Sequence, residues 1–226
     1  LTSGQPDSSI FSNQFQSSLS HNKNARFNFN IEKQLDSAGN NSFVFRPNIS
    51  FQETESATDV TTFSTRGTSK NLNNSIASTD RNNSGYNASL EATFRHRFKK
   101  KGRTYSIAFN PGKSVNDGTT SNYSINNFFN TTTPYADTIN QVGITNRDSK
   151  TMNATFSFTE PIGKNQIIEF NYNYNSNVNN SGTQTFSYNK ANGQYDIAVP
   201  NLTNVFENTF NSNRVTLNYR LQNAKY

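Results

Sequence analysis

Few side chains in this chain have the type or the spacing for chemistry. His21 and His96 are the only histidines, and neither has a second His or a carboxylate at metal-ligand spacing; cysteine is absent. No serine has the Gly-x-Ser-x-Gly setting of a nucleophile elbow, and no Gly-rich loop is placed to cradle phosphate. Glu32, Glu91 and Glu169 fall on the polar sides of three amphipathic runs, where two carboxylates together would suit acid–base work. The same sides carry Arg26, Arg46, Arg95, Arg97, Arg214 and Arg220, so salt bridging within a wet interior is the simpler role. The run Lys99-Lys100-Lys101-Gly102-Arg103 has the charge for nucleic acid but no ordered stacking positions beside it, and reads as a solvated turn. His96, between Phe94 and Phe98, reads as an amphipathic ring at an interface. No catalytic set, metal, cofactor or nucleic-acid partner is expected.

The elements that carry these residues are strands. Met152-Asn153-Ala154-Thr155-Phe156-Ser157-Phe158 and Ile168-Glu169-Phe170-Asn171-Tyr172-Asn173-Tyr174 both alternate apolar and polar, and Glu160-Pro161-Ile162-Gly163-Lys164 reverses the chain between them. The pattern recurs. Phe27, Phe29 and Ile31 alternate with polar residues from about 23 to 34. Phe43, Phe45, Pro47, Ile49 and Phe51 follow after a turn near Ala38. Leu90 and Phe94 belong to a third run, and Ile107, Phe109 and Pro111 to a fourth after the basic turn. Val215, Leu217 and Tyr219 close the series. About seven strong strands result. Residues 1–20 read as loop or as the outer end of a strand, with a weak eighth strand conceivable near Ile10–Phe15. The connections alternate between short ones near Ala38, Lys101 and Ile162 and long polar ones over 66–84, 116–140 and 189–204. Pro47 and Pro111 cannot donate to a ladder, so each is expected at a bulge, a strand end or an unpaired position.

Composition then asks what the apolar faces touch. Only 31% of the 226 residues are hydrophobic, yet there are 19 Phe and 10 Tyr. That leaves little for a water-soluble core and too many rings for a disordered chain. The apolar sets are cut off at similar heights: Lys150 and Glu160 bracket one, Gln166 and Ser176 another, Asn213 and Asn223 a third. Bands of roughly 8–10 residues approach the ~9–11 that a tilted strand needs to cross a bilayer. No apolar run reaches the ~20 residues of a membrane helix. The expected fold is an all-β, antiparallel transmembrane barrel, or a section of one, in one unit over residues 1–226. Lipid would meet Phe27, Phe29, Ile31, Phe43, Phe45, Ile49, Phe51, Leu90, Phe94, Ile107, Phe109, Phe156, Phe158, Ile168, Phe170, Tyr172, Val215, Leu217 and Tyr219. The lumen would hold Arg26, Arg46, Glu91, Arg95, Arg97, Glu169, Arg214 and Arg220.

Five phrases carry a resemblance: 45–51 (Phe45-Arg46-Pro47-Asn48-Ile49-Ser50-Phe51), 95–104 (beginning Arg95-His96-Arg97-Phe98), 158–165 (containing Glu160-Pro161-Ile162-Gly163-Lys164), Glu169-Phe170-Asn171-Tyr172, and 213–220 (containing Val215-Thr216-Leu217-Asn218-Tyr219). In this order they resemble the barrel region of outer-membrane TonB-dependent-receptor-like proteins of the Bacteroidota type, from about Lys23 onward. The resemblance implies a large barrel in the bacterial outer membrane, with short periplasmic turns and long extracellular loops. It also implies a plug acted on by an energy-transducing periplasmic partner, and a siderophore, glycan fragment or peptide as cargo. No stretch here resembles the plug, single-chain bacterial barrels have even strand numbers, and Ala224 and Tyr226 are out of phase with Leu221 and Tyr219. The chain is therefore expected to be an internal section of a longer barrel. A small non-transporting barrel and a soluble or surface β adhesin are the alternatives.

Overall fold

The alternating runs become strands, and the strands are much longer than the apolar runs within them. The structure, a computed structural model, describes residues 9–67, 70–129 and 132–221. In order they form β1 (Ile10–Asn28), β2 (Ile31–Gln34), β3 (Asn41–Arg66), β4 (Lys70–Arg97), β5 (Thr104–Phe128), β6 (Tyr135–Pro161), β7 (Gln166–Asn189), β8 (Gln194–Ala198) and β9 (Asn204–Leu221), with a single 3-10 turn at Pro200–Leu202. All pairings are antiparallel within one sheet. β2 continues β1 along the edge of β3, in the same register. β8 and β9 share β7: β8 takes Phe186–Asn189, and β9 takes Gln166–Thr183. The result is a seven-strand meander whose outer edges, along β1 and β9, are not paired to each other.

The two prolines interrupt the ladder where their missing N–H groups fall. Pro47 accepts a bond from the Phe29 N–H at 3.1 Å but returns none, and β1 and β2 part at Phe29 and Asn30. Pro111 keeps its place opposite Met152, while pairing with β4 is lost at Leu90 and Glu91. Both breaks lie at the same height in the sheet.

One end of the meander, here the lower, is turned by 35–40, 98–103 and 162–165. Gly39 and Gly102 take positive φ there, 67° and 87°, which favours glycine. Asp36 pins the first turn. Its carboxylate accepts the Asn40 and Asn41 N–H groups at 2.7 and 3.2 Å and Asn41 Nδ2 at 2.9 Å. Burial disfavours its charge, but these bonds outweigh that and hold its carboxyl below the usual aspartate range.

The upper end departs from expectation. The segments 66–84 and 116–140 are not long loops: Lys70–Arg97 is one continuous strand, as are Thr104–Phe128 and Tyr135–Pro161. The chain reverses near Gly67 and again between Phe128 and Tyr135. Segment 189–204 holds β8 and the 3-10 turn. The short–long alternation fails for a physical reason. Asn-rich polar runs favour strands only weakly, and their scattered Thr shows no period, yet each run here is an unbroken continuation of a paired hairpin. Ile10–Phe15 is no eighth strand but the top of β1, which starts well before Lys23. The expectations placed on Asn223, Ala224 and Tyr226 lie outside the described residues, as do parts of the 1–20, 66–84 and 116–140 segments.

Candidate functional site

The register sorts the side chains onto two faces. Successive residues of a strand point to opposite sides, and partners across a ladder share a side. One row runs Phe43, Phe94, Ile107, Phe156, Tyr172 and Val215. The next on that face runs Asn41, His96, Tyr105, Phe158, Phe170 and Leu217. Two rows up lie Ile31, Phe45, Ala92, Phe109, Ala154, Tyr174 and Asn213. Phe27, Phe29, Ile49, Phe51, Leu90, Ile168 and Tyr219 follow the same parity. The register thus brings every side chain assigned to lipid onto one face. Arg26, Arg46, Glu91, Arg95, Arg97, Glu169, Arg214 and Arg220 all take the other.

The apolar face is bare. Val44, on the polar side, is the one buried apolar residue among those described, whereas Phe29 is 64%, Val215 65% and Leu217 70% exposed. A single-layer sheet has no second layer to receive such a face.

The borders of the apolar band carry more information than its height. Going up the apolar face, the first polar residue is Lys23 on β1, Glu53 on β3 and Ser84 on β4, and these three are register partners. On β5 and β6 it is Lys113 and Lys150, again partners, but four residues lower than Asp117, the partner of Ser84. It falls two residues further to Ser176 on β7, and two more to Asn213 on β9. The lower border descends the same way, from Lys33 through Asn41 and Arg103 to Gln166, with β9 still apolar at Leu221. The upper border drops eight residues over six strand-to-strand steps. At ~3.3 Å per residue and ~4.8 Å between strands, a level border requires strands leaning about 40° from its normal.

Rings gather at the lower border. His96 meets Phe98 edge-on at 4.5 Å and Tyr105 at 5.2 Å, and Phe98 meets Phe158 edge-on at 6.5 Å. His96 Nδ1 lies 2.6 Å from Asn41 Oδ1. Directly below, Glu160 takes Arg103 Nε at 2.5 Å and Nη2 at 2.9 Å, with Lys100 Nζ at 2.5 Å. The hydrogen bonds from Arg103 and then Lys100 pull its carboxyl down to about 2. The guanidinium of Arg103 also lies 5.7 Å from the Phe98 ring centroid.

The polar face is a carboxamide and hydroxyl lattice. Asn173 Nδ2 donates to Thr155 Oγ1 at 2.8 Å, Ser149 Oγ to Asn179 Oδ1 at 2.6 Å, and Thr79 Oγ1 to Asn122 Oδ1 at 3.2 Å. Asn110 Oδ1 and Asn177 Oδ1 are buried on this face with no partner. The glutamates behave unequally. Arg46 bridges Glu91 at 3.2 Å and Glu32, and donates from Nε to Asn30 at 3.0 Å. Glu169 accepts instead from Asn171 Nδ2 at 2.7 Å. Arg26, Arg95, Arg97, Arg214 and Arg220 make no ion pair among the described residues. No group of three or more His, Asp or Glu suited to a metal occurs among them either.

Sequence reasoning missed the glycines of the polar face. Gly85, Gly112 and Gly118 lie there, and the sheet closes in on them. A Cβ on Gly85 would stand 2.3 Å from the Val115 carbonyl oxygen. Glycine inside a strand pattern is the signal that marks such close approach.

The fold and its two faces define an open, antiparallel, amphipathic sheet. No protein-family model, curated protein or solved structure matches the chain.

Proposed function

We propose that this sheet is a section of a bacterial outer-membrane β-barrel of the receptor type, with the Phe-rich face toward lipid and the Asn/Ser/Thr face toward a wet lumen. The tilt of the apolar band carries the reading. A lean of about 40° falls within the ~35–45° of transmembrane barrel strands, and both borders descend together, as they must if two flat membrane interfaces cut inclined strands. An amphipathic sheet packed on a protein core has no reason to keep its borders level in an outside frame.

Strand direction adds a condition. β1 and β9 are separated by five alternating strands and run the same way. Joining them directly would make a parallel pair. An all-antiparallel barrel therefore needs an odd number of further strands between them, covering edges that lipid does not tolerate bare. The transport reading follows the resemblance: uptake of a nutrient, powered through a plug and a periplasmic energy-transducing partner. Ligand contact then falls to the polar face of the long upper hairpins rather than to flexible loops.

Folding in detergent against plain buffer tests the membrane reading. The expected outcome is a folded sheet only with amphiphile. A monodisperse, folded monomer in plain buffer would instead favour the soluble adhesin.

A further inference from the structure

Charge is distributed unequally between the two ends. The β4–β5 and β6–β7 turns at the lower end hold Lys99, Lys100, Lys101, Arg103 and Lys164 against Glu160 alone, a net of +4. The turns are joined: Glu160 ties down Lys100 and Arg103, and a Cβ on Gly102 would lie 3.5 Å from Pro161 Cγ. Lys99, Lys101 and Lys164 are exposed and make no ion pair among the described residues. At the upper end, Arg66, Lys70 and Lys190 are offset by Asp137 and Asp196. The turns of the lower cations adjoin the rim of the apolar band, where Arg103 lies over the Phe98 ring and Phe98 meets Tyr105 and Phe158.

We propose that these joined turns bind the headgroup phosphate of an anionic phospholipid in the inner leaflet of the outer membrane. The site rests on the barrel reading above. Glu160 spends two cations to lock the turns together. That leaves three lysines to share one phosphate while the acyl chains lie along the Phe98 and Phe158 rings. Two turns held at one height give the lysines a common target, which a single mobile turn would not. Attraction between a cluster of lysines and anionic headgroups is short-ranged and screened by salt.

The test is native mass spectrometry of the full chain, released from a zwitterionic detergent after titration with phosphatidylglycerol or phosphatidylcholine. We expect a preference for phosphatidylglycerol of at least about tenfold, reduced by raised salt. Lys99→Gln/Lys101→Gln/Lys164→Gln should abolish it, and Arg66→Gln/Lys70→Gln/Lys190→Gln, an equal charge change at the other end, should leave it intact. Equal affinity for the two lipids, or equal losses in the two variants, overturns the site while leaving the barrel standing. A chain that folds in plain buffer removes the barrel and the site with it, so the two failures are told apart.

Discussion

Above and below the border from Lys23 to Asn213, the same strands continue in the same ladder and present different surfaces. Below it the apolar face is a nearly unbroken field of Phe, Tyr, Ile and Leu. Above it the same face carries Glu55, Asp117, Asp80 and Asp59, with only islands such as Phe15, Leu19 and Phe63. Backbone pairing is indifferent to this change: β4 runs from Lys70 to Arg97 without noticing it. Strand length and apolar length are therefore separate quantities. The backbone demands hydrogen bonds in any solvent, whereas side-chain chemistry marks which stretch of strand meets which solvent.

The sharpest break of that comparison is a charge placed on one face at two heights. Phe156→Arg and Leu217→Arg, within the band, are expected to cost roughly 2–4 kcal/mol of stability in lipid vesicles, near the value for a lipid-exposed arginine at mid-depth. Phe63→Arg, on the same face above the border, should cost no more than ~0.5 kcal/mol, as an exposed surface site does. Denaturant titration in vesicles measures both. Equal penalties would mean that the border separates nothing.

Next in size is the polar face at Gly85, just below the border. Gly85→Val drives a side chain into the Val115 carbonyl and should cost ~1–3 kcal/mol, as overpacking does. Gly182→Ala, whose Cβ would meet Val205 at an ordinary 3.9 Å, serves as the mild partner. A tolerated Gly85→Val would show that the sheet does not close in where the structure places it. On the polar face inside the band, Thr155→Arg and Thr216→Arg should cost less than half as much as Phe156→Arg if this face lines a wet lumen as proposed.

The smallest effect is in pH. Glu160 has its carboxyl lowered from its ordinary 4.5 to about 2. The folded state therefore binds this proton less readily than the unfolded one. The contribution is fully present above pH ~4.5 and disappears as pH falls toward 2. Glu160→Gln should lower the melting temperature at neutral pH and flatten the acid side of the profile, so that variant and parent converge as pH falls toward 2. An unchanged acid limb would show that the two turns are not held together through this carboxylate.

Much of the fold was legible because period-two alternation is strong where Phe and Tyr alternate with Asn and Thr. Phe43 to Phe51 announces a strand and its face together. The upper hairpins were not legible. Residues 70–84 and 116–128 contain too few apolar residues to show a period, and polar runs of Asn, Ser and Thr look the same in a loop and in a strand. The Arg46 salt bridges with Glu32 and Glu91 were within reach of sequence reasoning in kind, because all three share a polar face. The choice of Arg46 rather than Arg95 or Arg97 was not, since it depends on which residues stand opposite one another.

The sequence by itself determined that the chain is all-β, which residues alternate on each strand, and that three tight turns centre near Ala38, Lys101 and Ile162. Local alternation and Gly or Pro at reversals suffice for that. Only the tertiary structure decided the cross-strand register. Register relates residues on different strands, from Arg66 and Lys70, 4 apart, to Ile10 and Arg66, 56 apart, and alternation within one strand does not specify it. From it come the single apolar face, the stepped border from Lys23 to Asn213 and the lean of about 40° that a level border requires.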